Sequence, residues 1–295
     1  MTAFTITPLH SELGASLTGV DLKGSLDASR VAEIRDAIDA YSFLVFPDQH
    51  LQDDQQIALT RALGKPEANH VTLGTSGQVD HFHTIGNVLE DGTKLGNAHQ
   101  RTVFQTGNNL WHSDSSFRAV PTYVSIMSAH EVPAEGGETE FVSGRAAYGR
   151  LPVEEQARLD PLICIHDYVF SRSKVAPVSE SHAASLPPVR QRLVRANPRT
   201  GARNIYIGSH AKEIEGWRHD ESRVLLDALL AEATRPASIY RHRWQAGDLV
   251  IWDNRCLLHR GTGYDADAYR RRMRQTRVTG ACNTLAEAVP PLAAE

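Results

Sequence analysis

Trp111-His112-Ser113-Asp114 and, far downstream, Trp252-Asp253-Asn254-Arg255-Cys256-Leu257-Leu258-His259 are the stretches whose reading decides the fold. His112, Asp114 and His259 offer two imidazoles and one carboxylate. That donor set holds a metal such as non-haem iron from one side and leaves the opposite positions open. If 111–115 runs as a strand, side chains alternate, so His112 and Asp114 share a face while Ser113 points away. The third donor must then arrive on a strand distant in sequence and adjacent in space. His259 follows 248–253 (DLVIWD), a short apolar run of strand character. The pattern predicts a mainly β chain with flanking helices, a jelly roll of two facing sheets with the metal in its mouth. With 14 histidines in the chain a chance His-x-Asp is common, so the pair needs its surroundings to carry weight.

Working outward, Val31, Ile34, Ala37, Ile38 and Tyr41 recur at helical spacing behind a cap at Ser29, ahead of the strand-like run 43–47. A second helix is predicted from Asp53 or Asp54 through Ile57 and Leu63 to a stop at Gly64. Residues 66–109 are rich in Gly, Thr, Asn and His with little periodicity and read as a lid over the metal. Residues 172–188 read as a second active-site loop. Strands are expected at 123–132, 138–142, 240–244, 249–253 and 271–279, with an extended run at 163–170 and a hairpin of 193–196 with 204–208. Helices are expected at 145–151, 154–159 and 221–234, the last burying Val224, Leu225, Ala228 and Leu229. Residues 284–295 read as a loosely held tail, and 1–295 as one domain.

Thirty-one basic residues against 35 acidic ones give a net charge of -4, without the basic stripe that a nucleic-acid surface needs. Cys164, Cys256 and Cys282 cannot all pair and show no CxxC spacing, which points to a reducing compartment and away from a structural zinc site. Residues 1–8 (MTAFTITP) lack a basic region followed by an apolar core. Neither secretion nor membrane insertion is signalled, and a cytoplasmic protein is expected.

Four ordered blocks then carry a resemblance: 109–117 (NLWHSDSSF), 133–141 (PAEGGETEF), 247–260 (GDLVIWDNRCLLHR) and the arginine-rich run 270–277 (RRRMRQTR). Together they resemble the taurine/2,4-dichlorophenoxyacetate dioxygenase family of Fe(II)- and 2-oxoglutarate-dependent enzymes, over nearly the whole chain. WHSDSSF, WDNRCLLHRG and 207–211 (IGSHA) bring the likeness nearest to its aryloxyalkanoate branch. The resemblance implies a double-stranded β-helix, with Fe(II) on His112, Asp114 and His259, 2-oxoglutarate as co-substrate and O2 as oxidant. It also implies a small organic acid as substrate and a homo-oligomer. Hydroxylation at a carbon bearing an ether oxygen would release a phenol and a 2-oxo acid. Trp111 and Trp252 would pack the barrel, and Asp253 and Asn254 would orient His259.

The family places an arginine for the distal carboxylate of 2-oxoglutarate on a strand after the last histidine, a task that suits its planar fork of donors. Strand parity groups Arg271, Met273, Gln275 and Arg277 on one face and Arg270, Arg272 and Arg274 on the other. The face carrying Met273 is the better interior, so Arg271 is the expected anchor, Arg270 the fallback, and Arg270, Arg272 and Arg274 a solvated face. Thr139 matches the family threonine that assists the same carboxylate. Gln275 departs from the pattern, because many relatives carry there an arginine for the substrate's acid group. Arg277, Lys94, His81 or His83 could replace it, and Asn108 and His210 are further candidates for contact with substrate. Three alternatives stay open: a taurine or alkylsulfonate dioxygenase, a metal-binding barrel without redox activity, and a 2-oxoglutarate sensor.

Overall fold

The computed structural model describes residues 4–69 and 80–288. Within these the strands are, in chain order, β1 (Thr5–Pro8), β2 (Ala15–Thr18), β3 (Phe43–Phe46), β4 (His83–Gly86), β5 (Thr122–Glu131), β6 (Thr139–Ser143), β7 (Ile163–His166), β8 (Val189–Arg192), β9 (Val194–Ala196), β10 (Arg203–Ile205), β11 (Ala211–Ile214), β12 (Tyr240–His242), β13 (Leu249–Asp253), β14 (Leu257–Gly261) and β15 (Arg272–Thr279). One large sheet has the order β1-β2-β3-β13-β5-β15-β4, and a smaller one the order β12-β6-β14. Strands β11-β7-β8 and the β9–β10 pair flank them.

Alternation decides which layer each strand residue serves. On β13, Val250 and Trp252 turn towards a core shared with Phe141 of β6 and Leu257 of β14, whereas Leu249 and Ile251 turn away from it. Strand β3 splits in the same way, with Phe43 and Val45 inward and Leu44 and Phe46 outward. The Phe43 and Phe141 rings lie 4.3 Å apart and those of Phe141 and Trp252 5.8 Å apart, which closes the space between the two sheets. Helices α1 (Ala28–Tyr41) and α2 (Asp53–Leu63) cover the outer face with Val31, Ile34, Ile38, Leu59 and Leu63, each worth about 1.5–3 kcal/mol of burial. A polar pin adds direction to this apolar layer. The Gln56 amide donates to the carbonyls of Ile126 and Arg274 at 3.1 and 3.0 Å, and the Thr60 hydroxyl lies 2.7 Å from that of Thr276. Helix α2 therefore grips β15 from behind, and the opposite face of β15 is fixed towards the space between the sheets.

Strands β5, β6, β13 and β15 fall where the alternation put them, and α2 stops at Gly64. Other expectations are corrected. The cap of α1 is Asp27, whose side chain accepts from the Arg30 amide, so Ser29 lies inside the helix. The run 163–170 is extended only to His166, after which Asp167 caps the short helix Tyr168–Arg172. On the helix His219–Ala233, Leu225, Leu226 and Leu229 are buried but Val224 is 74% exposed and Ala228 faces solvent; the apolar stripe is shifted by one position.

Part of the expected lid, 70–79, lies outside the described residues. The rest of it is not irregular: it contains β4, paired with β15 at the edge of the large sheet, and the helix Gln100–Gln105. The second loop carries the helix Glu180–Ser185. Of the expected tail, 289–295 lie outside the described residues, whereas Thr284 is fully buried with its hydroxyl on Gln191 and Glu287 pairs with Arg195. Side-chain hydrogen bonds dock what composition alone marked as loose. No helix among the described residues is long and apolar enough to cross a membrane.

Candidate active site

His112 and His259 meet through one antiparallel bridge: each amide donates to the other's carbonyl, at 3.0 and 2.8 Å. The bridge sets the two rings side by side, 4.2 Å between centroids. The His112 Nδ1 lies 2.7 Å from the Leu110 carbonyl; a carbonyl only accepts, so Nδ1 carries the proton and Nε2 keeps its lone pair. The chain does not continue as a strand to Asp114. It turns, with Ser115 at φ 49°, while the Ser113 hydroxyl is tied to the Leu257 carbonyl. Asp114 therefore reaches the histidines through a bend, not through the shared strand face expected above.

The donor atoms of His112, Asp114 and His259 all lie within 4.8 Å of one another, and all three residues are buried. The His112 Nε2 is 3.9 Å from Asp114 Oδ1 and the His259 Nε2 is 3.7 Å from Asp114 Oδ2. Burial above all lowers the His112 pKa and pushes that of His259 down to about 3. Burial opposes ionisation of Asp114, but Arg277, His259 and His112 outweigh it and hold the carboxyl well below its usual range. Two neutral imidazoles and one carboxylate are the protonation states that a divalent metal requires. The donor set thus fits Fe(II).

Asp114 is held by residues that spacing did not single out. Ser125 donates to Oδ2 at 2.6 Å, Gln275 to the same oxygen at 3.0 Å and Arg277 to Oδ1 at 2.8 Å. Asn254 accepts from the Asp114 amide and from Trp252 Nε1 and donates to Ser125. The expectation for Asn254 and Asp253 is corrected in its partner. Asn254 positions Asp114, and Asp253 pairs with Arg255; neither is hydrogen-bonded to His259, against which Trp252 packs at 5.0 Å. Buried Glu67, accepting from Ser115 and Thr122, also escaped the sequence reading. Nothing local marks Ser125 or Glu67, since their partners lie at least 11 residues away.

The three donors open onto a cavity of about 970 Å3, mouth included. Thr139, Gln275, Arg277 and Arg271 line it, as do Asn108 and the lid residues Ile85 and Gln105. Arg271 is buried just before β15 with its guanidinium near the Ile85 and Gly137 carbonyls at 3.5 and 3.4 Å, and no acidic side chain among the described residues pairs with it. Burial pushes its pKa down to about 10, partly offset by Tyr264. A buried cation without a counter-ion on a cavity wall is a site for an anion. Thr139 lies on the same wall, its hydroxyl accepting from Trp244 Nε1 at 3.0 Å.

The outward arginines differ from the expected solvated face. Arg270 is exposed and pairs with Glu131, which removes it as the fallback anchor, but Arg274 is buried on Asp53 of α2. Gln275 lines the cavity, but both ends of its amide are engaged: its Nε2 serves Asp114 and its Oε1 accepts from Arg277. His210 is packed behind His112 against Phe117 and does not reach the cavity wall. Lys94 turns to the Asp267 carbonyl and His81 to that of Glu67. No residue of 172–188 lines the cavity, although Arg172 reaches the back of Asn108.

The model of the family described as "Taurine catabolism dioxygenase TauD, TfdA family" matches residues 5–277. An alpha-ketoglutarate-dependent 2,4-dichlorophenoxyacetate dioxygenase of Cupriavidus pinatubonensis is 40% identical over 274 residues, 91% of this chain and 96% of its own. An (S)-phenoxypropionate/alpha-ketoglutarate-dioxygenase of Sphingobium herbicidovorans is 36% identical, covering 94% of this chain and 96% of its own. Among solved structures, AAD-2 in complex with Mn(II) and N-oxalylglycine superposes with a TM-score of 0.88 at 35% identity, over 96% of this chain and 99% of that one. A taurine dioxygenase from Burkholderia xenovorans superposes with a TM-score of 0.75 at 28% identity, over 95% of this chain and 90% of that one. With the family model spanning most of its length and such relatives end to end, this chain belongs to the TauD, TfdA family of dioxygenases.

Proposed function

We propose that this chain is an Fe(II)- and 2-oxoglutarate-dependent dioxygenase that hydroxylates an aryloxyalkanoate beside its ether oxygen and so releases a phenol and a 2-oxo acid. One observation carries the reading: Arg271, a buried cation with no acidic partner among the described residues, stands on the wall of the same cavity onto which His112, Asp114 and His259 open. The two facing sheets are read as a double-stranded β-helix within one domain, 1–295, with 85–109 as cover on one side of the cavity. His112, Asp114 and His259 hold the iron, and Arg271 with Thr139 takes the distal carboxylate of 2-oxoglutarate. Bound together, Fe(II) and 2-oxoglutarate supply oxidation of a substrate C–H by O2, with succinate and CO2 as co-products.

The chain's own residues orient and shield that chemistry. Ser125, Gln275 and Arg277 fix the Asp114 carboxylate, and Trp252 and Met127 line an apolar side of the cavity suited to an aryl ring. Asn108, which also lines the cavity, offers a polar contact to the substrate acid. The relatives named for phenoxy acids share more identity with this chain than the taurine dioxygenase does, which favours the aryloxyalkanoate reading. The test is an aerobic assay with Fe(II), 2-oxoglutarate and ascorbate. It follows succinate and phenol from 2,4-dichlorophenoxyacetate and both enantiomers of its propionate analogue, and sulfite from taurine. Phenol with matching succinate is expected. Sulfite without phenol overturns the substrate and moves the chain to the sulfonate branch.

A further inference from the structure

Arg172 has no role in the site described so far, yet it is a largely buried cation that no acidic side chain among the described residues pairs with. It closes the helix Tyr168–Arg172 and reaches across to the turn Thr106–Asn109. Its Nη2 donates to Asn108 Oδ1 at 2.9 Å, its Nη1 to the Phe104 carbonyl at 3.3 Å, and its guanidinium lies 5.2 Å from the Phe104 ring. Gly107 makes the approach possible, because a Cβ there would overlap Nη1.

An amide has two ends that look alike to a cavity and opposite to an anion. Arginine only donates, so the Asn108 end that faces Arg172 must be the oxygen. The NH2 end is thereby turned the other way, and Asn108 lines the cavity. Its Nδ2 makes no hydrogen bond to a described residue. Asn97 is committed to Asp265 and Asp267, Gln105 to the Thr84 carbonyl and Gly86 amide, and Gln275 to Asp114 and Arg277, whereas the neighbouring Asn109 is exposed and has no arginine among the described residues fixing its amide. Arg172 itself does not reach the wall.

We propose that Arg172 is a positioning residue that locks the Asn108 amide with its NH2 facing the cavity, so that the site reads the acid group of the primary substrate through a fixed donor. The inference rests on the dioxygenase reading above. It also accounts for recognition of an acid by a site in which Gln275 stands where many relatives have an arginine. Without Arg172 the amide is free to flip and to offer the anion an oxygen, which repels it.

The test uses the whole chain loaded with Mn(II) and N-oxalylglycine, which permits binding without turnover. Calorimetry compares 2,4-dichlorophenoxyacetate with its neutral amide. Arg172→Gln and Asn108→Ala should each weaken the acid by roughly tenfold, the size of one hydrogen bond to a charged group. Binding of the neutral amide and of N-oxalylglycine should stay within about twofold. The double variant should lose no more than either single one, because the two residues act as a unit. Arg172→Lys keeps a donor-only cation and should recover most of the loss, which also controls for misfolding of the glutamine variant. Additive losses, or equal weakening of acid and neutral amide, overturn the role of Arg172 and leave the dioxygenase reading standing. Failure of the unaltered protein to bind the acid overturns the substrate reading and this inference with it.

Discussion

Arg271, just before β15, and Arg277, within it, line the same cavity, and they differ in everything but chemistry. Arg277 is engaged by Asp114, Gln275 and Ser115, so its charge is answered within the fold. Among the described residues Arg271 has two long contacts to carbonyls, an aromatic ring 6.0 Å away and no acid to answer its charge. A buried cation that the fold neutralises is part of the structure. One that the fold leaves alone is kept for a ligand, at a cost in stability. Proximity to the donors would have suggested the reverse assignment, since it is the committed arginine that touches Asp114.

The largest effect should come from removing what Arg277 answers. Asp114→Ala deletes a candidate metal donor and is expected to abolish succinate formation and to leave Arg277 with Glu67, at 4.0 Å, as its remaining acid among the described residues; succinate formation at the unaltered rate would undo the metal assignment. Arg277→Gln comes next. Breaking a buried pair from one side is expected to destabilise the metal-free protein by about 3–5 kcal/mol and to weaken Mn(II) binding by roughly 10- to 100-fold, measured by chemical denaturation and metal titration. Arg271→Gln should behave oppositely: stability unchanged or raised, and the 2-oxoglutarate KM raised roughly 10- to 150-fold. If both variants raise that KM equally, the contrast between the two arginines is broken.

Arg274 sharpens the contrast from the other face of the strand. It holds Asp53 and Thr84 on the outer layer, so Arg274→Ala should lower stability by about 1–3 kcal/mol and leave the 2-oxoglutarate KM as it was. The remaining prediction concerns pH. His259 and His166 are both pushed down to about 3, chiefly by burial. Below about pH 6.5 the unfolded chain takes up protons that the folded one refuses. Their contribution to stability is therefore complete above that value and declines as pH falls towards 3. The thermal midpoint of the metal-free protein should drop from about pH 7 to about pH 5, and a flat profile would show that these rings titrate normally.

The sequence by itself determined which three residues come together as candidate metal donors, the strands that carry most of the site and the inward face of β15. Those readings rest on period-two alternation and on residue chemistry, both written locally: Met273 told which arginines point in, and DLVIWD told where His259 comes from. Only the tertiary structure decided how Asp114 reaches the histidines, since a turn at Ser115 and the Asn254 amide set its direction. It also decided that Gln275 braces the Asp114 carboxylate, that Arg274 is buried, and that Arg172 stands behind Asn108. The reason is common to all of them. Whether a polar side chain is free or committed depends on partners brought from tens to hundreds of residues away, and no local period records which partners those are.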